Sequence, residues 1–493
     1  MGDVALVIHG HFYQPPREDP WTGEVPVQPS AAPFHDWNER ITAECYAPNT
    51  IVGVMGDDGE AFVVNTFAHL SFNVGPTLLS WLEAHHPEVY GRILAADAEA
   101  GRAIAQAYGH AILPLCNERD QRTHVRWGIA DFVHRFGRRP EGMWLPETAV
   151  SDEVLAVLEA EGIRFTILAP GQIEAVRPLA EPDAAWQHHG VAAHEGLGPQ
   201  EPVVVDPGPL DTSRPLRWHH PDDLERTVDV VVYDGALAHA LAFARPTSDD
   251  ILDAVAVTGE GMVAAATDGE TFGHHHQGAE HDVAHALTVG AAARGVRTPR
   301  LVDLLDELPP THSARVRVSA WSCAHGVDRW RADCGCHTGG PEGWDQSWRA
   351  PLRDALDLLR DWGVALVDRR GPATLRDPWA ARDEYLDVLI GARSWADFAG
   401  THIVGDEHEA GLLLDAQRNA LLMYTSCGWF FNDLAGIETV QVLRYAARAI
   451  DLYEQLGEAP PVEAFLAELD RARSNDPAVG SGRDLWSAQV LPA

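Results

Sequence analysis

Short apolar runs rich in β-branched residues alternate with stretches of helical periodicity over roughly the first 300 residues. Residues 4–8, 164–168, 228–232 and 262–266 read as strands. A well-marked helix stands immediately before the second of these, at 151–162. Ser151 stands at its N-cap, Asp152 and Glu153 occupy the first turn, Val154, Leu155, Val157 and Leu158 form an apolar face, and Gly162 closes it. Strands that alternate with helices imply an α/β fold with a parallel sheet, as a βα-barrel or an open sheet. No Gly-rich fingerprint follows the first strand, which argues against a dinucleotide-binding domain. Residues 170–226 turn rich in Pro, Gly and Asp, as in Asp206-Pro207-Gly208-Pro209, and read as a loop insertion. After residue 345 the strand pattern stops. Helical periodicity over 350–366, 380–389, 407–424 and 439–456 predicts a helical appendage. The expected organisation is a catalytic α/β domain at 1–310, a Cys/His-containing connection at 311–345, a helical domain at 346–475 and an irregular tail at 476–493.

Composition narrows the chemistry. All 37 basic residues of the 493-residue chain are Arg, so chemistry that needs a lysine amine, such as a Schiff base or a Walker-type phosphate loop, is excluded. The formal charge of −36 disfavours nucleic acid and anionic membranes as partners, and we read it as background composition. No apolar stretch approaches the ~20 residues of a membrane span. The start of the chain lacks a basic, then apolar, leader pattern, and six cysteines are scattered without the density of a disulfide scaffold. The expected location is therefore cytoplasmic, and the oligomeric state is left open.

Two acids carry the strongest signal. Glu147 lies in Gly142-Met143-Trp144-Leu145-Pro146-Glu147-Thr148, and Asp268 follows the apolar run 262–266 in Asp268-Gly269-Glu270-Thr271-Phe272-Gly273. An apolar strand that ends in an acid and a tight turn is how barrel enzymes present catalytic groups, and a pair of such acids suits glycoside hydrolysis. Glu270, two residues beyond Asp268 on extended chain, is its internal rival. His9 and His11 close the first strand and point to one side, ready to hydrogen-bond a polar ligand or bind a metal. Cys323, His325, Cys334, Cys336 and His337 are zinc-capable, but Cys-Gly-Cys is tighter than the familiar knuckle spacing, so a Cys-rich loop is the favoured reading.

These motifs, in this order, resemble the family-57 glycoside hydrolases, which act on α-glucans. His9-Gly10-His11 with Gln14-Pro15 is similar to the family's first element, although Phe12-Tyr13 interrupt it. His110-Ala111-Ile112-Leu113-Pro114-Leu115 is similar to the second, Trp144-Leu145-Pro146-Glu147 to the third, and Asp268-Gly269-Glu270-Thr271-Phe272-Gly273-His274 to the fourth. Tyr424-Thr425-Ser426-Cys427-Gly428-Trp429 matches the fifth in part, with Cys427 where many relatives have an acid. Tyr233-Asp234 is similar to an Arg-Asp pair of relatives but lacks the Arg.

The resemblance implies an incomplete (β/α)7 barrel with a C-terminal helical appendage. It also implies a retaining glycoside hydrolase or glucanotransferase working by double displacement, with Glu147 as nucleophile and Asp268 as general acid/base. His9, His11, His110, Trp144, Asp234, Glu270, His274 and Trp429 are then candidate contacts to an α-glucan or maltooligosaccharide. No cofactor or metal is implied. Hydrolysis, transfer and branching share one intermediate, so the motifs leave them unseparated. Two rivals remain: a zinc-dependent sugar hydrolase or deacetylase using His9 and His11, and a non-catalytic glycan-binding barrel.

Overall fold

The alternation read from the sequence is realised in a computed structural model that describes residues 4–56, 58–189, 191–192, 203–204, 210–258 and 260–491. Two compact units are present. The first comprises 1–14, 27–106 and 135–321, and the second 15–26, 107–134 and 322–493.

The first unit is an α/β structure. Among its described residues, seven strands matter for the site: β1 (Val4–Phe12), β2 (Ser71–Val74), β3 (Ala105–Gln106), β4 (Met143–Trp144), β5 (Phe165–Leu168), β6 (Asp223–Val232) and β7 (Gly261–Asp268). β1 lies between β7 and β2 and is parallel to both. β3 pairs in parallel with β4, and β5 with β6. Parallel bridges from Phe72 to Ala103 and from Gly142 to Phe165 link β2 to β3 and β4 to β5. Beyond β6, Asp234 donates its N–H to the carbonyl of Ala264 in β7 at 2.7 Å.

Strands buried on both faces should be near-continuously apolar, and β1 is buried along its whole length. Small residues of β7, Ala264 and Ala266, pack with Ala5, Val7, Phe165, Ile167 and Val231 in one core cluster. Short side chains at these positions let the larger ones fill the space between strands. The helix predicted after β4 spans Asp152–Ala160, with the Ser151 hydroxyl accepting from Val154 N–H at 3.3 Å and Gly162 left-handed at φ 79°.

Residues 170–226, expected as a loop insertion, carry strands among the described residues. Ile173–Pro178, Gln187–His188 and Leu216–His220 join β5, β6 and His312–Val316 in a six-stranded mixed sheet. The proline and glycine content hid a period-two pattern in which Leu216 and Trp218 are buried. The turn sequence Asp206-Pro207-Gly208-Pro209 lies outside the described residues.

The second unit is helical, with Arg349–Arg370, Glu407–Leu422 and Ile437–Gln455 as its longest helices after residue 345. It also takes in 15–26 and 107–134, which the expected boundaries assigned to the α/β domain. Arg382 is buried and pairs with Asp120 at 2.8 Å, and the Trp127 indole donates to the carbonyl of Arg382. A buried ion pair between distant segments defies a reading based on local periodicity. The tail, expected to be irregular, carries a helical turn at Gly482–Leu485 capped by Ser481 and continues as a π-helical turn to Val490.

Candidate active site

Strand register, rather than proximity in sequence, assembles the site. In the parallel pairing of β1 with β7, His9 faces Ala266 and His11 faces Asp268. On the other side of β1, His9 faces Ser71 and His11 faces Asn73. Gln106 of β3 pairs with Trp144 of β4. The C-terminal ends of β1, β2, β3, β4 and β7 therefore carry the polar groups, the end at which parallel strands of α/β enzymes present their chemistry.

Glu147 sits just past β4 in a strained turn. Its φ is 56° and that of Thr148 is 49°, both in the left-handed region, where a β-branched threonine is especially disfavoured. Such strain persists only when neighbours over-determine it, and here they do. The Trp321 N–H donates to the Glu147 carbonyl at 3.0 Å, the Trp321 indole donates to Glu147 Oε2 at 3.1 Å, and Gln172 donates to the Thr148 carbonyl at 2.7 Å. The carboxylate is thereby aimed by a tryptophan that sequence reasoning missed.

Asp268 ends β7, and the turn after it is shaped by glycine. A Cβ on Gly269 would lie 2.3 Å from the Phe12 ring, and one on Gly273, at φ 126°, would lie 2.3 Å from the Glu44 carbonyl. Phe12, which interrupts the first motif, is thus the packing partner of the fourth. The Asn49 side chain donates to the carbonyls of Cys45 and Phe272 at 2.9 and 2.7 Å and holds the turn against the Thr42–Tyr46 segment. Asp268 has solvent-accessible surface, yet protein surrounds its carboxyl closely enough to limit hydration. Lost hydration first, then the negative charges of Glu270 and Glu147, raise its pKa well above the usual carboxylate value.

Glu270 is buried. One oxygen accepts from the Tyr13 N–H at 3.0 Å and from the Tyr46 hydroxyl at 2.5 Å. Burial raises its pKa to about 7 despite these hydrogen bonds. Glu270 is therefore a carboxyl enclosed by fixed donors, while Asp268 is the more accessible of the two.

His9 and His11 are buried and each stacks with the Trp144 indole, with ring-centroid distances of 4.9 Å in both cases. His9 is bonded through both ring nitrogens, Nδ1 to Ser71 Oγ at 2.9 Å and Nε2 to Asn73 Oδ1 at 3.0 Å. His11 Nδ1 meets Asn73 Nδ2 at 2.9 Å, and Asn73 also donates to Gln106 at 2.7 Å. Burial lowers the pKa of His9 to about 4 and that of His11 to about 3, so both rings are neutral at neutral pH. With both nitrogens of His9 engaged, the zinc rival loses one of its two proposed ligands. Trp144 itself is fully enclosed, so it packs against the two imidazoles rather than presenting a face to a sugar.

The remaining candidates are placed as follows. His274 Nδ1 lies 2.5 Å from Glu44 Oε2, with the Trp37 ring edge-on at 6.0 Å. Asp234, expected as a substrate contact, caps the helix Gly235–Phe243 by accepting from Leu237 N–H at 2.8 Å. That capping bond engages Oδ1 of its carboxylate. His110 belongs to the second unit, where its Nδ1 lies 2.7 Å from Ser426 Oγ and its carbonyl accepts from Ser426 N–H. Trp429, also in the second unit, is fully buried, donates its indole N–H to the Arg349 carbonyl at 3.2 Å and lies under the Arg353 guanidinium at 4.7 Å. The expected sugar contact is thus a core residue. Trp429→Ala should lower stability by about 3–5 kcal/mol, the cost of emptying a buried aromatic site, while leaving substrate affinity unchanged. Thermal melting and a binding isotherm on the same variant check this, and weakened binding with an unshifted melting temperature would restore the sugar role.

Ser71, Asn73, Gln106, Tyr46 and Trp321 are site residues that lie outside the motifs. Only Trp321 stood beside a segment already singled out, the cysteines that begin at 323.

The α/β frame places two acids at the C-terminal ends of parallel strands, one in a strained turn and one with a raised pKa, an arrangement of the kind that paired-carboxylate chemistry uses. Residues 37–298, more than half of the chain, match the model for Glycosyl hydrolase family 57, and 344–493 match a domain of unknown function, DUF3536. The chain belongs to glycosyl hydrolase family 57. It is 28% identical over 93 residues to Alpha-amylase 1 of Dictyoglomus thermophilum, a match covering 18% of this chain and only 13% of that protein. In fold it is similar to an exo-type maltose-forming amylase from Pyrococcus sp. ST04, with a TM-score of 0.70 at 15% identity over 94% of this chain and 82% of that one. A branching enzyme of the same family from Thermococcus kodakaraensis has a TM-score of 0.52 at 16% identity, covering 97% and 96% of the two chains. Among the described residues no helix is long and apolar enough to cross a membrane.

Proposed function

We propose that the protein is a retaining glycoside hydrolase or glucanotransferase acting on α-glucans, with Glu147 as nucleophile and Asp268 as general acid/base. The observation that carries this reading is the placement of Glu147, in its strained turn after β4, and Asp268, at the end of β7, on one set of parallel strand ends, with the charge of Glu147 among the causes that raise the Asp268 pKa. Asp268, whose raised pKa favours the protonated form, delivers a proton to the leaving oxygen as Glu147 attacks the anomeric carbon. The resulting aspartate then deprotonates water or an acceptor hydroxyl, which releases the sugar from Glu147. A retaining arrangement calls for a carboxyl separation of roughly 5 to 5.5 Å in the substrate complex.

We further infer that β1 to β7, joined through the bridges at Phe72–Ala103 and Gly142–Phe165 and the Asp234–Ala264 hydrogen bond, form the incomplete (β/α)7 barrel of this reading. The helical unit is its appendage. His11 and Gln106 then offer neutral polar groups suited to orienting sugar hydroxyls without competing for the proton, backed by the His9–Asn73 hydrogen bond.

Incubation with maltooligosaccharides of defined length, followed by product profiling, tests activity, linkage and transfer together. Shorter products indicate hydrolysis, longer or branched ones indicate transfer. Absence of any new product from linear and branched α-glucans, with deacetylation or mannoside cleavage in its place, overturns the proposal.

A further inference from the structure

The second unit holds a cluster that the two-acid chemistry does not use. Cys323, His325, Cys334 and Cys336 each bring one ligand atom to a common point, with all these atoms within 4.8 Å of one another. Cys336 Sγ lies 3.9 Å from Cys323 Sγ and 3.4 Å from His325 Nδ1. A tetrahedral zinc with Zn–S bonds of about 2.3 Å has S···S edges of about 3.8 Å and slightly shorter S···N edges, close to these separations. None of the cysteines is in a disulfide.

Local backbone explains how a spacing unlike the usual knuckles converges. Gly335, left-handed at φ 78° with open space around its missing Cβ, turns the chain between Cys334 and Cys336. The Cys336 N–H then approaches Cys334 Sγ at 3.5 Å, a contact that stabilises a thiolate. His325, two residues from Cys323, supplies the imidazole, and the adjacent His337 instead has its Nδ1 bonded by Gly339 N–H.

We propose that these four side chains form a structural zinc site. Three thiolates and one neutral imidazole fill all four positions of a tetrahedron, which suits a closed structural site rather than a catalytic one with an open position. Thiolate ligands select zinc over hard cations. The site carries a net charge of −1, and the buried Arg349 guanidinium stands close by, donating to the Cys336 carbonyl at 3.0 Å.

The site has something to hold. Across residues 322–348 the 3-10 turn Asp328–Trp330 is the one regular element among the described residues. Trp330 in that turn is fully buried with its indole bonded to the Ser426 carbonyl at 3.1 Å, and the Arg329 guanidinium stacks on Phe430 at 4.3 Å. A metal that joins residues 323 and 325 to 334 and 336 would close the loop carrying Trp330 and fasten it to the helical core.

The test is metal analysis of the full chain, expressed with zinc in the medium and purified under reducing conditions. About one zinc per chain is expected, and cobalt exchanged into the site should give the intense visible bands of tetrahedral Co(II) with thiolate charge transfer. His325→Ala and Cys334→Ser should each lower zinc content at least about tenfold and lower the melting temperature, while Cys116→Ser should change neither. His325 is exposed, so its truncation reads the metal without opening the core if Cys334→Ser fails to fold. Zinc below about a tenth per chain, zinc unaffected in His325→Ala, or a disulfide among Cys323, Cys334 and Cys336 in the purified protein overturns the site. Neither acid of the catalytic proposal belongs to this cluster, so the outcome is independent of that reading.

Discussion

Replacing Glu147 by glutamine should cut turnover on the order of 10⁴-fold or more, because an amide of the same shape cannot attack the anomeric carbon. The isosteric change keeps the turn. Glutamine meets the same left-handed backbone at φ 56° that glutamate does, and Trp321 retains a side-chain oxygen to donate to. Substrate affinity should therefore survive while chemistry fails, separating a nucleophile from a binding residue. A fluorinated glycosyl donor, which slows breakdown of the intermediate more than its formation, should leave the sugar on Glu147 in a peptide map of the unmodified protein. A label on Asp268 or Glu270 would sink the assignment.

Asp268→Asn should cost roughly 10²–10⁴-fold for substrates with poor leaving groups. Less should be lost where the leaving group needs no proton, and azide, a nucleophile that requires no base, should restore turnover in the second step. The pH profile distinguishes Asp268 from its rival. Asp268 must be protonated to act as an acid, and its raised pKa keeps it so into higher pH. Glu270 contributes to that elevation through its charge. Glu270→Gln removes the charge, so the Asp268 pKa falls and the basic limb of kcat/KM moves to lower pH, with activity largely kept on the acidic side. The same substitution has a stability signature. Burial raises the folded-state pKa of Glu270 from 4.5 to about 7, so its favourable contribution is complete below pH about 4.5 and lost as pH climbs through about 7. Glutamine, never ionised, should flatten that decline in melting temperature. Loss of activity at every pH in Glu270→Gln, with activity retained in Asp268→Asn, would exchange the two roles.

Much of this protein was legible in its sequence. The helix Asp152–Ala160 follows from a serine cap, an acidic first turn and an apolar face, all of them local signals. The strand runs at 4–8 and 262–266, with the histidines after the first and Asp268 after the second, follow from the contrast between apolar strand and polar turn, and four motifs in order pointed to the family. What these features share is that each is decided within about ten residues of chain.

Tertiary structure decided the rest because its causes lie far apart in the chain. Asn73 is a site residue only because β1 pairs with β2 in the register that sets it opposite His11. Tyr46 finds Glu270, and Trp321 finds Glu147, across separations of 224 and 174 residues that no local pattern encodes. Trp429 and Asp234 matched family positions by sequence, yet packing enclosed the first and a helix terminus engaged Oδ1 of the second. In the cysteine loop the residue types announced metal-capable chemistry. The fold chose His325 over His337, because a ligand set is defined by where side chains converge, and that convergence depends on backbone turns such as the one at Gly335.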